Sequence, residues 1–239
     1  MFHIIFYEPV YNLLVLFLQI VPLHDIGASI VLVTVTVKTI LLPINLKATR
    51  TQHLMKAVED EIKVIRDNHK DKPQELSRKL VEVYKREKIN PLSSLIAMLI
   101  QIPVFIALYF VFSKGMKFDG SSIYSFVSFP EILHTQAFGI LDVTKKNIFI
   151  AISTGITAYI LARRQTSSMV ANKKENKEEN FQDHFMKSMR VQMLYVLPVI
   201  IGVSSYVLPA ALGLYWTTNN ILSFLQDVYI KDRIKKEKK

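Results

Sequence analysis

The sequence predicts an all-α integral membrane protein with five transmembrane helices, an interfacial N-terminal helix and a cytoplasmic antiparallel helical hairpin. Three observations carry this. Half of the 239 residues are hydrophobic, and they gather in long blocks with no amphipathic spacing. The 30 Lys and Arg residues cluster beside those blocks, in the pattern of the positive-inside rule. Finally, a lysine, Lys38, stands within one block. The absence of cysteine excludes disulfides, thiolate metal sites and a cysteine-linked lipid anchor. The net charge of +10 follows the loops, which argues against base readout of nucleic acid. Contact with ribosomal RNA through the basic tail stays open.

Residues 1–20 form an apolar helix with a narrow polar stripe of Glu8, Asn12 and Gln19. Glu8 and Pro9 interrupt its first half, favouring a helix lying along the outer interface over one that spans. Without a basic start or a cleavage site it is a poor signal peptide. Residues 27–46, GASIVLVTVTVKTILLPINL, reach the roughly 20 residues that a span requires. Lys38 costs that helix about 2.5–3.5 kcal/mol on insertion scales, against about 0.3–0.6 kcal/mol gained for each Leu, Ile or Val. Two readings follow: the ammonium snorkels to the cytoplasmic end, near Pro43 and Lys47, or it faces a polar cavity. Thr34, one turn earlier, shares its face.

The hydrophilic stretch 47–90 carries twelve Lys or Arg against eight Asp or Glu, which places it in the cytoplasm. Met55, Val58, Ile62 and Ile65 recur at steps of three and four, Asp71-Lys72-Pro73 breaks the helix, and Leu76, Leu80 and Val83 resume the pattern. This predicts an antiparallel hairpin with one thin apolar seam. The second span, 92–112, contains Gln101, which needs a partner, and Pro103, which can kink the helix. Residues 113–147 form an outer loop, in part resting on the membrane surface through Ile123, Phe126 and Phe129. A short third span, 148–161, carries Ser153, Thr154, Gly155 and Thr157, and Arg163-Arg164 close it on the inner side. Residues 162–190 are a lysine-rich cytoplasmic loop. The last spans, 191–207 and 210–230, meet at Leu208-Pro209, and the basic tail 231–239 lies in the cytoplasm. The loop charges put the N-terminus outside and the C-terminus inside.

No catalytic set, metal-ligand spacing, P-loop or dinucleotide fingerprint is present, so neither an enzyme nor a cofactor is expected. What remains is a polar set at membrane depth: Thr34, Lys38, Gln101, Ser153, Thr157, Thr217, Asn219 and Asn220. Interhelical hydrogen bonding accounts for the hydroxyls at about 0.6 kcal/mol each. It does not account for the cation. No acid stands in the spans to neutralise Lys38 except Asp227, near the inner end of the last one. Burial works against an ammonium's charge, so a charged Lys38 requires water around it.

NPLSSLIAMLIQIPVFIALYFVF, with its Asn-Pro start and Gln-x-Pro-x-Phe-x-Ala-Leu-Tyr pattern, resembles the second core span of the YidC/Oxa/Alb membrane protein insertases. LPAALGLYWTTNN, Leu208 to Asn220, is similar to the start of that family's fifth core span, and FYEPVYNLLVLFLQ to its leading helix. The resemblance covers nearly the whole chain in the family's order of parts. It implies a five-helix insertase core around a hydrophilic groove open to cytoplasm and lipid, closed toward the outside. It also implies that Thr34 and Trp216 border the path of substrate helices, with Tyr215 as a further groove residue. The family usually has arginine where this chain has Lys38; an ammonium is a compact charge that cannot grip a carboxylate in two places. Glutamine is common in the family where Leu161-Ala162 stand here.

The partners so implied are nascent membrane proteins and the lipid bilayer, with the ribosome at the basic tail and a Sec translocon as further partners. The setting implied is a bacterial plasma membrane, since neither a large outer domain nor an arginine-rich presequence is seen. The alternative is a small-anion transporter or channel with Lys38 as the anion site. Transporters commonly show related halves, and no repeat is visible here.

Overall fold

The computed structural model describes residues 1–113, 123–127, 135–166, 188 and 191–237. These are helical apart from short connections and one two-stranded hairpin. The helices are α1 (Glu8–Ile20), α2 (Ile26–Ile40), α3 (Leu42–Ala57), α4 (Glu59–Asn68), α5 (Pro73–Arg86), α6 (Leu92–Ser113), α7 (Ile148–Thr166), α8 (Leu197–Val207) and α9 (Ala210–Glu237). The strands are β1 (Gln136–Ala137) and β2 (Leu141–Asp142). The chain forms two compact units, one of Met1–Ile40 with Gln101–Phe224, the other of Leu41–Ile100 with Leu225–Lys239.

In the first unit, Glu8 and Pro9 do not interrupt the N-terminal helix as expected. A π-helical turn, His3–Tyr7, runs directly into α1, and Pro9, which has no N–H to donate, falls where the hydrogen-bonding pattern changes from π to α. Asn12 is buried, donating to the Glu8 carbonyl (2.8 Å) and accepting from the Tyr124 N–H (2.7 Å). Val10, Leu14, Val15 and Leu18 fill the same side of α1, which packs on α2.

The connection between α6 and α7 contains structure that its composition did not show. Asp25 caps α2 by accepting from the Ala28 N–H (2.8 Å), and its other oxygen takes the Phe138 N–H at the tip of the β-hairpin. Gly27 leaves room for Ala137 and Phe138 to lie against α2; any side chain there would collide with them. The carbonyls of Val143 and Lys145 accept from the N–H groups of Ala211 (3.0 Å) and Ala210 (2.9 Å), satisfying the exposed start of α9. Asp142 is anchored by the Thr144 hydroxyl (2.6 Å) and the Lys145 ammonium (2.9 Å), which hold its carboxyl below the usual carboxylate range. Phe126 is exposed, and Phe129 lies outside the described residues.

Several helices differ in extent from the expected spans. The stretch 27–46 is not one helix: α2 ends at Ile40 and α3 starts at Leu42, because Pro43 has no N–H to donate and its ring crowds the carbonyl four residues back. The helix that begins at Ile148 runs past Leu161, since α7 continues to Thr166 with Arg163 and Arg164 in its last turn, where cations complement the helix dipole. The last helix, α9, continues through most of the tail, to Glu237. Most of 162–190 lies outside the described residues.

In the second unit, Val58, Ile62, Val83 and Ile89 are buried together, with Met55, Ile65 and Leu80 packed against them. Leu76 is half-buried. The first arm of this seam is not one helix. It breaks at Val58, and the acids Glu59, Asp60 and Glu61 start α4 where the helix dipole favours negative charge. α5 ends with Lys88 at φ 54°, and the Ile89 N–H reaches back to the Tyr84 carbonyl (2.8 Å) while its side chain joins the cluster. Arg86 grips Glu61 with both terminal nitrogens, one at 3.0 Å, which pulls the Glu61 carboxyl below its usual range. Arg50 likewise holds Glu237 at 3.2 and 2.7 Å.

Among the described residues, His3–Ile20 is the one helix long and apolar enough by itself to cross a membrane. Ile26–Ile40 and Leu42–Ala57 reach that measure only as a broken pair, and Leu99–Ser113 and Gln192–Val207 are shorter apolar helices.

Candidate functional site

The polar residues of the first unit converge on α9. At about 100° per residue, Gly213, Thr217 and Asn220 fall on one face of that helix and Asn219 and Ser223 on another. The structure turns the first face to α7 and the second to α2.

Toward α2, Lys38 is buried and its ammonium donates to Asn219 Oδ1 (3.0 Å) and Ser223 Oγ (2.8 Å). Both acceptors are neutral, and among the described residues no carboxylate pairs with Lys38. An ammonium has three donors, so one is left for water or an incoming anion. Asp227, the only acid near enough in sequence to suggest a partner, is buried in the second unit against His53, 2.7 Å away.

Toward α7, Thr154 is a fully buried hub. Its hydroxyl lies 2.8 Å from the Ile150 carbonyl, 3.1 Å from that of Gly213, 3.0 Å from the Thr217 hydroxyl and 3.2 Å from that of Ser205 on α8. Ser153 approaches Thr217 at 3.4 Å, and Asn220 donates to Thr157 (3.2 Å). A side chain at Gly213 would collide with Ser205 and Ile150, so three helices can meet here only at a glycine. Toward α6, Gln101 donates to the Tyr215 hydroxyl, and the Phe105 ring stacks on Trp216 at 5.0 Å.

Of the residues expected at the site, Lys38 and Asn219 meet, as do Gln101 and Tyr215, Ser153 and Thr217, and Thr157 and Asn220. Thr34 stands apart. It is buried, and its hydroxyl turns back to the Ile30 carbonyl (2.7 Å). Ser223, Ser205 and the hub role of Thr154 were missed. Ser223 was within reach, since it stands four residues after Asn219 on one helical face; the Ser205 contact depends on the turn at Leu208-Pro209.

The outward faces of the same helices are apolar: Ile102, Ile106 and Phe110 on α6, Ile152 and Ile156 on α7, Val199 and Val203 on α8. Apolar residues outside, with hydroxyls, amides and a cation inside, are the inverted polarity of a polytopic membrane protein. The chain belongs to the 60Kd inner membrane protein family, whose pattern matches residues 17–238 and which is the YidC/Oxa/Alb family that the motifs resemble. It is similar to the membrane protein insertase YidC of Clostridium tetani, 30% identical over 211 residues, 88% of this chain and 83% of that one. It is also similar to the proteins of that name from Francisella philomiragia (30% over 200 residues) and Polynucleobacter asymbioticus (29% over 200 residues). In each of those two cases the match covers 84% of this chain and only 31% of the longer relative. The anion-transporter alternative draws no support from these relatives.

Proposed function

We propose that this chain is a membrane protein insertase of the bacterial plasma membrane, with its N-terminus outside and its C-terminus in the cytoplasm. The observation that carries this reading is Lys38: a buried cation held, among the described residues, by neutral oxygens alone, on the polar side of helices whose other faces are apolar. Five spans, comprising α2 with the start of α3, then α6, α7, α8 and α9, enclose a hydrophilic groove. The paired helices α4 and α5 stand in the cytoplasm and receive the substrate. The basic end of α9 meets the ribosome, and a Sec translocon is a further partner.

A short polar segment of a nascent membrane protein enters the groove, where hydroxyls and amides replace part of its hydration. Lys38 offers its third donor and its charge to acidic groups in that segment. The distance crossed through hydrocarbon falls, and the substrate's apolar helix leaves sideways past Phe105 and Trp216, driven by its own transfer out of water. Nothing in this sequence resembles a nucleotide site, so the driving force in this reading is hydrophobic transfer.

The test is site-specific photo-crosslinking to a stalled single-span nascent chain from Lys38, Thr217 and Trp216. Ile102, exposed on α6, serves as the lipid-facing control. Crosslinks that move among the three sites as the chain lengthens support the reading; crosslinks no stronger than at Ile102 refute it.

A further inference from the structure

We propose that a groove between α7 and α8 is a binding site for one membrane phospholipid, with an acyl chain in the groove and the phosphate on Arg163. The proposal rests on the membrane reading above and assigns a site separate from the polar residues that converge on α9.

The groove encloses about 560 Å³. Ala151, Gly155, Pro198 and Gly202 form its floor. A Cβ built on Gly202 would stand 3.4 Å from the Gly155 Cα, so the helices cross closely there and their larger side chains splay apart as walls. Ile152, Ile156 and Tyr159 line one wall and Val199, Val203 and Tyr206 the other. These walls are carbon, and they are open to the surroundings: Val199 is 63% exposed and Val203 58%. From Ile148 to Tyr159 the groove runs about 16 Å at helical rise, half of the roughly 30 Å hydrocarbon core, the depth filled by the chains of one leaflet.

The second observation is charge. Ile148, Ile152, Ile156, Tyr159 and Arg163 recur at steps of four, four, three and four, so Arg163 continues the groove wall one turn beyond Tyr159. The two adjacent arginines are differently placed. Arg164 lies over the Phe224 ring at 5.0 Å, whereas Arg163 is exposed and has no hydrogen-bond or ion-pair partner among the described residues. An apolar groove one leaflet deep that ends at a guanidinium with no partner among the described residues matches an acyl chain ending at a phosphate, which arginine recognises with two parallel hydrogen bonds. A docked protein helix would fill the carbon groove without using the cation.

The experiment reconstitutes the full chain in phosphatidylglycerol vesicles containing a trace of the same lipid with a photoactivatable group midway along one acyl chain. Labelled residues are then mapped by peptide mass spectrometry. Labelling, normalised to exposure, is expected to concentrate on Ile152, Ile156, Val199 and Val203 (53–63% exposed) above the α6 residues Ile102 and Ile106 (47% and 37% exposed). Val203→Trp, which fills the groove from an exposed wall position, removes this excess. Arg163→Gln lowers it about tenfold, the loss of one charge-assisted phosphate contact. Equal labelling of α6 and the groove, or an excess that survives both substitutions, overturns the proposal. So does a groove that crosslinks to a protein and excludes lipid. Failure of the chain to enter vesicles refutes the membrane reading itself, whereas entry without selective labelling refutes this site alone.

Discussion

Lys38 donates to Asn219 at 3.0 Å, a contact between residues 181 positions apart that ties the first core helix to the last. Its acceptors leave the charge uncancelled, which makes Lys38 the residue to vary first. Lys38→Arg is expected to retain insertion and Lys38→Glu to reduce it at least about tenfold, the effect of roughly 1.4 kcal/mol on the limiting step. The measurement is insertion of a single-span substrate with an acidic translocated segment. Equal activity of the two variants would sink the charge argument.

The Thr154 hub predicts a graded response. Thr154→Val keeps the shape and removes the hydroxyl that joins α7, α8 and α9; its cost should be about 0.6–1.7 kcal/mol, the range for such contacts in membrane proteins. Gly213→Ala should cost more, because its methyl overlaps Ser205 and Ile150. Unfolding in detergent–denaturant titrations measures both.

At the start of α2, Asp25 serves that helix and the β-hairpin together. Asp25→Ala removes the cap, a loss of about 1 kcal/mol, and frees the Phe138 N–H. Protease cleavage within 136–142 should accelerate in the variant while α4 and α5 keep their protection.

Lys88 stands at φ 54°, where a side chain is disfavoured. Lys88→Gly keeps the helix ending and relieves about 1 kcal/mol of backbone strain. A thermal midpoint raised by a few degrees is the expected outcome; a lowered one would mean that the Lys88 side chain contributes more than its conformation costs.

The Glu61–Arg86 pair carries a pH dependence of known sign. Glu61 ionises at lower pH in the folded protein than in the unfolded chain, so its contribution is complete above the unfolded value. That contribution fades as pH falls through the folded one. The effect is small because the pair is exposed. The thermal midpoint should drop between pH 6 and pH 3, and Glu61→Gln should narrow that drop.

Much of this was legible in one dimension. Apolar blocks mark helices that tertiary context does not easily override, and steps of three and four place Val58, Ile62 and Val83 on one seam. The break before Pro43 was less clear, since the surrounding apolar run hid a proline's local effect. The ends of α7 and α9 extended past the apolar blocks because helices continue while their residues permit, whatever the polarity. The partners of Lys38 were not legible, because its neighbour Asn219 comes from the far end of the chain.

The sequence by itself determined the helical class, the membrane-like inversion of polarity and the presence of a cation without an acid beside it. These depend on composition and on periodicity, which are local. Only the tertiary structure decided that Asn219 and Ser223 receive the ammonium, that Asp227 belongs to His53, and that Thr154 gathers three helices. The physical reason is that hydrogen bonds of 2.7–3.2 Å depend on the rotation and depth of each helix. Those are set by close approaches such as Gly213 against Ser205, which no spacing along a single helix encodes.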